Sequence, residues 1–222
     1  MLKASSIAYL LKNDLSDPDP LVITPCPNVE KLARSGATSV DLHLGSWFIT
    51  LRRLRTSLLE VIDPTSPSAT EARLAKKHYV PFGERFILHP GCFVLGITLE
   101  WVRLKNDLCG FVIGKSSWGR RGLIIATATG VHPGFTGCLA LEMTNVGEIP
   151  IEIRPGWEIC QLFLDRVQPY DDKEPHDEHI APSSFSGKTR PVLGSLGRSI
   201  RLENIPQKLP AQATTAQDKT PS

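Results

Sequence analysis

From Leu21 onward the chain is a succession of short apolar runs with no helical period between them. They read VDLHL, WFITL, LLEVI, RFIL, CFVLGITLEWV, CGFVI, LIIATA, CLALEM, IEI and EICQLFL, separated by Pro-Gly, Asn-Val-Gly and Arg-Pro-Gly turn signals. Runs of this length at this spacing predict a mainly β protein, a sandwich or a barrel. The one helical pattern, SSIAYLLKNDL, lies near the start: Ser5 or Ser6 is placed to cap it, and Ile7, Leu10 and Leu11 share a face. A chain of 222 residues suffices for one domain with a sizeable core or two very small ones.

The formal net charge of +2 gives no global attraction to nucleic acid, so a polyanion site would have to be local. No apolar run approaches the ~20 residues needed to span a bilayer. The N-terminus lacks the order of basic segment, apolar core and cleavage site that marks a leader, which predicts a cytoplasmic protein. The five cysteines (Cys26, Cys92, Cys109, Cys138, Cys160) are scattered, never form a CxxC pair, and read as small core residues. LRRLR (Leu51 to Arg55) reads as a solvated strand face, and the stretch from Asp63 to His78 as a loop with one helical turn. From Tyr170 the chain is polar, and the end, PQKLPAQATTAQDKTPS, has almost nothing to bury and is expected to be disordered.

GKSSWGRRGL (Gly114 to Leu123) crowds one lysine, two serines, two arginines and three glycines between two strand-like runs. It is not a P-loop: GFVIGKS has one residue too few between its glycines, and the chain beyond it returns to a strand instead of opening a helix. HDE (His176 to Glu178) matches half of a zinc deaminase signature, but the PCxxC half is missing because no cysteine comes after Cys160. No GxSxG elbow flanks a serine. The residues leave two readings open: a polar, glycine-rich surface turn, or a cradle for a polyanion built where little side-chain bulk stands in the way.

In GCLALEMTN (Gly137 to Asn145), alternation puts Leu139, Leu141 and Met143 on one face and Cys138, Ala140, Glu142 and Thr144 on the other. Glu142 is either an exposed carboxylate on a wet sheet face or one at a pocket wall, where it can serve as acid or base. Upstream, ATATGVHPGF turns at Gly130 and sets His132 before Pro133-Gly134.

Taken in order, GKSSWGRRGL, GVHPGFTGCLALEMTNVG and IRPGWEICQLF resemble the dCTP deaminase branch of the dUTPase-like superfamily. ATSVDLHLGSWF (Ala37 to Phe48) is similar to its N-terminal strand motif and FSGKTRP (Phe185 to Pro191) to its lid. The resemblance covers residues 1–195, with 170–195 as the lid and 196–222 as a tail outside it. It implies a dUTPase-like distorted β-barrel or jelly-roll with a short N-terminal helix, assembled as a homotrimer with sites at subunit interfaces. It also implies zinc-independent hydrolysis of dCTP to dUTP and ammonia. Glu142 then corresponds to the proton-shuttling glutamate, Ser116 to the serine that holds the water, and Arg120 to the motif arginine. Lys115, Ser116 and Ser117 correspond to the triphosphate grip, with Mg²⁺ carried by the triphosphate. His132, Ala140, Tyr170 and Lys188 match further substrate-binding positions. Partners so implied are dCTP and dUTP, with dTTP as a candidate inhibitor, and neither nucleic acid nor membrane.

Three departures stand out. His132 occupies the place of an aspartate that contacts the deoxyribose 3′-hydroxyl. The turn is one residue shorter and lacks a basic residue before it, with Thr127 or Ala128 as the candidate for the water-holding carbonyl. In the lid, Phe185 takes the place of a tyrosine and Lys188 that of a triphosphate-binding glutamine. Alternative readings are a dUTPase, a bifunctional deaminase and dUTPase, and a nucleotide-binding member without catalysis. A pure dUTPase carries aspartate in the turn and an apolar residue at the glutamate position, the opposite of this chain.

Overall fold

The computed structural model describes residues 1–13, 17–51, 75–168 and 186–193. Helix α1 (Ala4–Asn13) buries Ala4, Ile7 and Ala8, with Leu10 and Leu11 half-buried beside the core. It starts before either serine: the amides of Ser6 and Ile7 donate to the carbonyl of Lys3, so Ser5 and Ser6 lie inside the first turn and do not cap it. A short second helix, α2 (Val29–Arg34), is capped by Asn28, whose side chain accepts from the amide of Lys31 at 2.9 Å.

Among the described residues, apart from one helical turn between two of them, the remaining elements are strands, and every pairing is antiparallel. β6 (Phe93–Arg103) and β10 (Thr136–Asn145) form the centre of one sheet. On its far edge β6 carries β3 (Trp47–Leu51) at one end and β1 (Val22–Thr24) at the other; β4 (Ala75–Tyr79) extends the sheet beyond β3, and β8 (Leu123–Ile125) ends it beyond β10. A second sheet runs β2 (Ser39–His43), β12 (Glu158–Arg166), β7 (Leu108–Gly114) and β9 (Gly130–Val131). A ribbon pairs β5 (Phe86–Leu88) with β11 (Ile151–Ile153). The mainly β expectation holds; among the described residues no sheet closes on itself into a barrel.

One core joins the two large sheets. Leu42, Val112, Leu162 and Leu164 from one meet Val94, Val102, Leu141 and Met143 from the other. Gly96 leaves the room this needs: a Cβ there would sit 2.6 Å from the Met143 methyl. The β6–β10 pairing slips between Cys138 and Ala140, which lie opposite Trp101 and Ile97. The slip spans an even number of residues, so the inward and outward faces of β10 are preserved. The buried Thr98 hydroxyl fills the gap, accepting from the amide of Leu139 and donating to the carbonyl of Glu100. At the end of β10, fully buried Asn145 donates to the carbonyls of Leu88 and Ile149 and accepts from the amide of Gly147. Its side chain thereby satisfies backbone groups that no strand reaches.

Two expectations are corrected. The end of the Asp63–His78 stretch is not loop but part of β4, whose register against β3 pairs Phe48 with His78; residues 63–74 and Arg52 to Arg55 lie outside the described residues. The cysteines, all free, are not uniformly core. Cys160 is buried, Cys109 and Cys138 are half-buried, and Cys26 and Cys92 are exposed, because turns rather than strands carry the last two. No described helix is long and apolar enough to cross a membrane.

Candidate active site

Strict alternation along β10 buries Leu139, Leu141 and Met143 and leaves Cys138, Ala140, Glu142 and Thr144 half-buried on the opposite face. That face is not an open wet sheet. It forms the wall of a cavity of about 250 Å³, which also receives Ala128 and His132 from the β8–β10 connection and Lys188 from the C-terminal segment. Phe93, Leu95 and Ile97 of β6 supply an apolar side. Small Cys138 and Ala140 make the space beside the carboxylate. Burial, with the charge of Glu100 adding to it, pushes the Cys138 thiol up to about 11, so it stays neutral there.

Glu142 is held through its backbone. Regular pairing of β8 ends at Ile125, after which the amide of Ala126 donates to the carbonyl of Glu142 at 2.8 Å. The ladder then passes to a side chain: the Thr127 hydroxyl accepts from the amide of Glu142 at 3.0 Å and donates to the carbonyl of Ala140 at 3.2 Å. Among the described residues the Glu142 carboxylate itself has no hydrogen bond or ion pair. It is held in place through the backbone and half-buried at the cavity wall.

Residues 186–193 lie against the near end of β10. The amide of Gly187 donates to the carbonyl of Thr136, and that of Cys138 to the carbonyl of Lys188 at 2.9 Å. Gly137 permits this approach: its φ is +140°, and a Cβ would stand 3.2 Å from backbone atoms of Gly187 and Lys188. The Arg190 guanidinium lies over the Trp47 ring, 4.4 Å from its centroid, and Trp47 in turn packs on Tyr79. This part of the expected lid therefore sits at the cavity with Lys188. Tyr170, Phe185, the HDE triplet and the tail after Leu193 lie outside the described residues.

The donor-rich loop is elsewhere. After β7 it makes one helical turn, α3 (Ser116–Gly119), pinned to β12 by two bonds: the Lys115 amide donates to the carbonyl of Ile159 at 3.1 Å and the Trp118 indole N–H to that of Glu158 at 2.8 Å. The Lys115 ammonium is 3.0 Å from Asp41 Oδ1 and 2.5 Å from Glu158 Oε2. Partial burial opposes its charge, but the hydrogen bonds it donates to Glu158 and Asp41 outweigh this and hold its pKa above the ordinary lysine value. Gln161 Nε2 completes the group, donating to Asp41 at 3.0 Å and to Ser39 at 3.2 Å. Ser117 and Arg120 are exposed. Arg120 lines a second cleft, of about 720 Å³, with Arg121 and the stacked rings of Trp118 and Trp157.

The candidate residues thus fall into two groups within one chain. Glu142, Ala140, His132 and Lys188 share one cavity; Lys115, Ser116, Ser117 and Arg120 line none of it. Sequence reasoning named Thr127 only for its backbone carbonyl and missed its side-chain bonds to β10, and it missed Asp41 and Glu158. Asp41 alternates outward on β2, whereas Glu158 shares the parity of buried Cys160 and Leu162 and escapes that face through the register shift before Cys160; only the β2–β12–β7 pairing brings both to Lys115.

The model of the dCTP deaminase-like family matches residues 13–167. The structure of the 2′-deoxycytidine 5′-triphosphate deaminase from Agrobacterium tumefaciens is similar, with a TM-score of 0.54 and 23% identity, over 75% of this chain and 46% of that one. This chain thus spans about half the length of the Agrobacterium protein, and at this identity the likeness is one of fold. The EIAV dUTPase shares 25% identity at a TM-score of 0.35, over 43% of this chain and 82% of that one. The dUTPase from phage phi11 of S. aureus shares 14% at 0.36, over 60% and 99%. With the family model running from the end of α1 to just beyond the end of β12, through both groups of candidate residues save Lys188, the chain belongs to the dCTP deaminase-like family.

Proposed function

We propose that the protein hydrolyses dCTP to dUTP and ammonia. The observation that carries this reading is Glu142: a carboxylate with no partner among the described residues, fixed through its amide by Thr127, on the wall of a cavity lined mostly by small and apolar residues. A water attacks C4 of the cytosine ring. Glu142 takes a proton from that water as the C4–O bond forms and returns it to the exocyclic amine as the C4–N bond breaks, so the carboxylate ends as it began. Ser116 holds the water, and Arg120 stabilises the charge that develops on the ring. Lys115, Ser116 and Ser117 grip the triphosphate, and Lys188 meets it from the lid. Mg²⁺ comes with the triphosphate and neutralises part of its charge. Incubation with dCTP and with dUTP, resolving ammonia, dUTP, dUMP and pyrophosphate, tests the assignment. Ammonia and dUTP from dCTP are expected; dUMP and pyrophosphate from dUTP would reveal a dUTPase step.

The separation of the loop from the Glu142 cavity supports a homotrimer of dUTPase-type subunits, each site combining one chain's cavity with the loop of the next. In a chain acting alone the phosphate grip would lie outside the cavity that holds the carboxylate.

The chemistry assigned here needs no zinc, since a carboxylate activates the water. Among the described residues no three His, Cys, Asp or Glu side chains converge in a way that holds a metal ion. A zinc-selective chelator is expected to leave deamination intact, whereas removal of Mg²⁺ weakens nucleotide binding. Loss of stoichiometric zinc together with activity would refute this.

His132 lines the cavity on the exposed turn before Pro133-Gly134. We assign it to the deoxyribose 3′-hydroxyl, since imidazole can donate or accept that hydrogen bond. His132→Ala is expected to lose ~1–3 kcal/mol of dCTP binding, the cost of stranding a polar partner. Against 2′,3′-dideoxy-CTP the loss should be far smaller. Equal losses with a lowered melting temperature would make the histidine a turn buttress.

A further inference from the structure

The lysine assigned to the triphosphate already has partners. Asp41 and Glu158 both contact the Lys115 ammonium, and these three groups together carry a net charge of −1. The two carboxylates are not equivalent. Asp41 also accepts from Gln161, so it keeps a donor if Lys115 leaves. Among the described residues the Glu158 carboxylate has Lys115 alone. Its placement follows from backbone register, because its own carbonyl accepts from Trp118 and the next carbonyl from Lys115. It lies over the start of the loop while remaining 50% exposed.

We propose that Glu158 sets the affinity of the phosphate loop by competing with the incoming phosphates for Lys115. This rests on the reading in which Lys115 meets the triphosphate. The pair is open to water on its Glu158 side, and an ion pair so screened is individually weak, so a polyphosphate can break it. Repulsion between Glu158 and the incoming anion grows with that anion's charge. The loop therefore admits a ligand only if it offers Lys115 more than one carboxylate does, and free orthophosphate offers little.

Calorimetric titration of the full-length protein with tripolyphosphate, without divalent cations, tests this. Glu158→Gln keeps the side-chain length and removes the charge. It is expected to tighten tripolyphosphate about five- to tenfold, with a smaller gain for orthophosphate and a gain that shrinks as salt is added. Glu158→Ala, which adds no new hydrogen bond, should give the same gain. In a Lys115→Met background, itself weaker in binding, both substitutions should help much less, because the competition is gone and only the direct repulsion is relieved. Unchanged or weaker tripolyphosphate binding in the folded Glu158 variants, with Lys115→Met still weakened, would overturn the competition and leave Lys115 as a phosphate ligand. Wild-type affinity in Lys115→Met would overturn both.

Discussion

Glu142→Gln is expected to lower dCTP turnover by ~10² or more while leaving nucleotide affinity nearly unchanged. Glutamine fills the same volume on β10 and cannot take up a proton. The scaffold around it is indifferent to the change: the bond to Thr127 comes from the backbone amide of residue 142, not from its carboxylate. A loss of turnover therefore isolates proton transfer from folding. Single-turnover measurement with saturating dCTP is the check, beside a binding titration. A variant with near-normal turnover would remove Glu142 from the mechanism.

The second large effect comes from mixing two inactive proteins. Arg120→Ala disables the loop and Glu142→Gln the cavity, and each alone should form an inactive homo-oligomer. If every site joins one chain's cavity to its neighbour's loop, equal co-assembly of the two variants restores about a quarter of wild-type activity. That fraction is the chance that an intact cavity meets an intact loop around a cyclic trimer. The restored activity should track the mixed trimers when differently tagged chains are separated. No recovery in verified mixed trimers would place the whole site within one chain. Cavity and loop would then have to meet by a rearrangement of β12 and β7, the strands that now hold the loop in place.

The alternation around Glu142 is legible in the sequence, because side chains on a strand point to opposite faces whatever the partners are. That its face is a cavity wall and not open sheet depends on residues far away in the chain, Phe93, Leu95 and Ile97 on one side and Lys188 on another. The resemblance points to Thr127 or Ala128 only for a backbone carbonyl; the bonds of the Thr127 hydroxyl carry no sequence signal, since they depend on where β8 stops pairing with β10. A cap at Ser5 or Ser6 is a reasonable reading of the local pattern, yet the first turn begins on Lys3, where the chain meets the core.

Three features can be read from the residues alone: the class of fold, the alternating face that carries Glu142, and the donor-rich loop that starts at Lys115. These are local matters, governed by side-chain period and turn chemistry within a few residues. Three others exist only once the sheets have formed. Asp41 and Glu158 occupy Lys115, Gly137 lets residues 186–193 lie on β10, and the loop and the carboxylate open into different clefts. Each of these depends on which strands pair and in what register, and pairing is settled by burying the shared core of both sheets, a property of the whole chain.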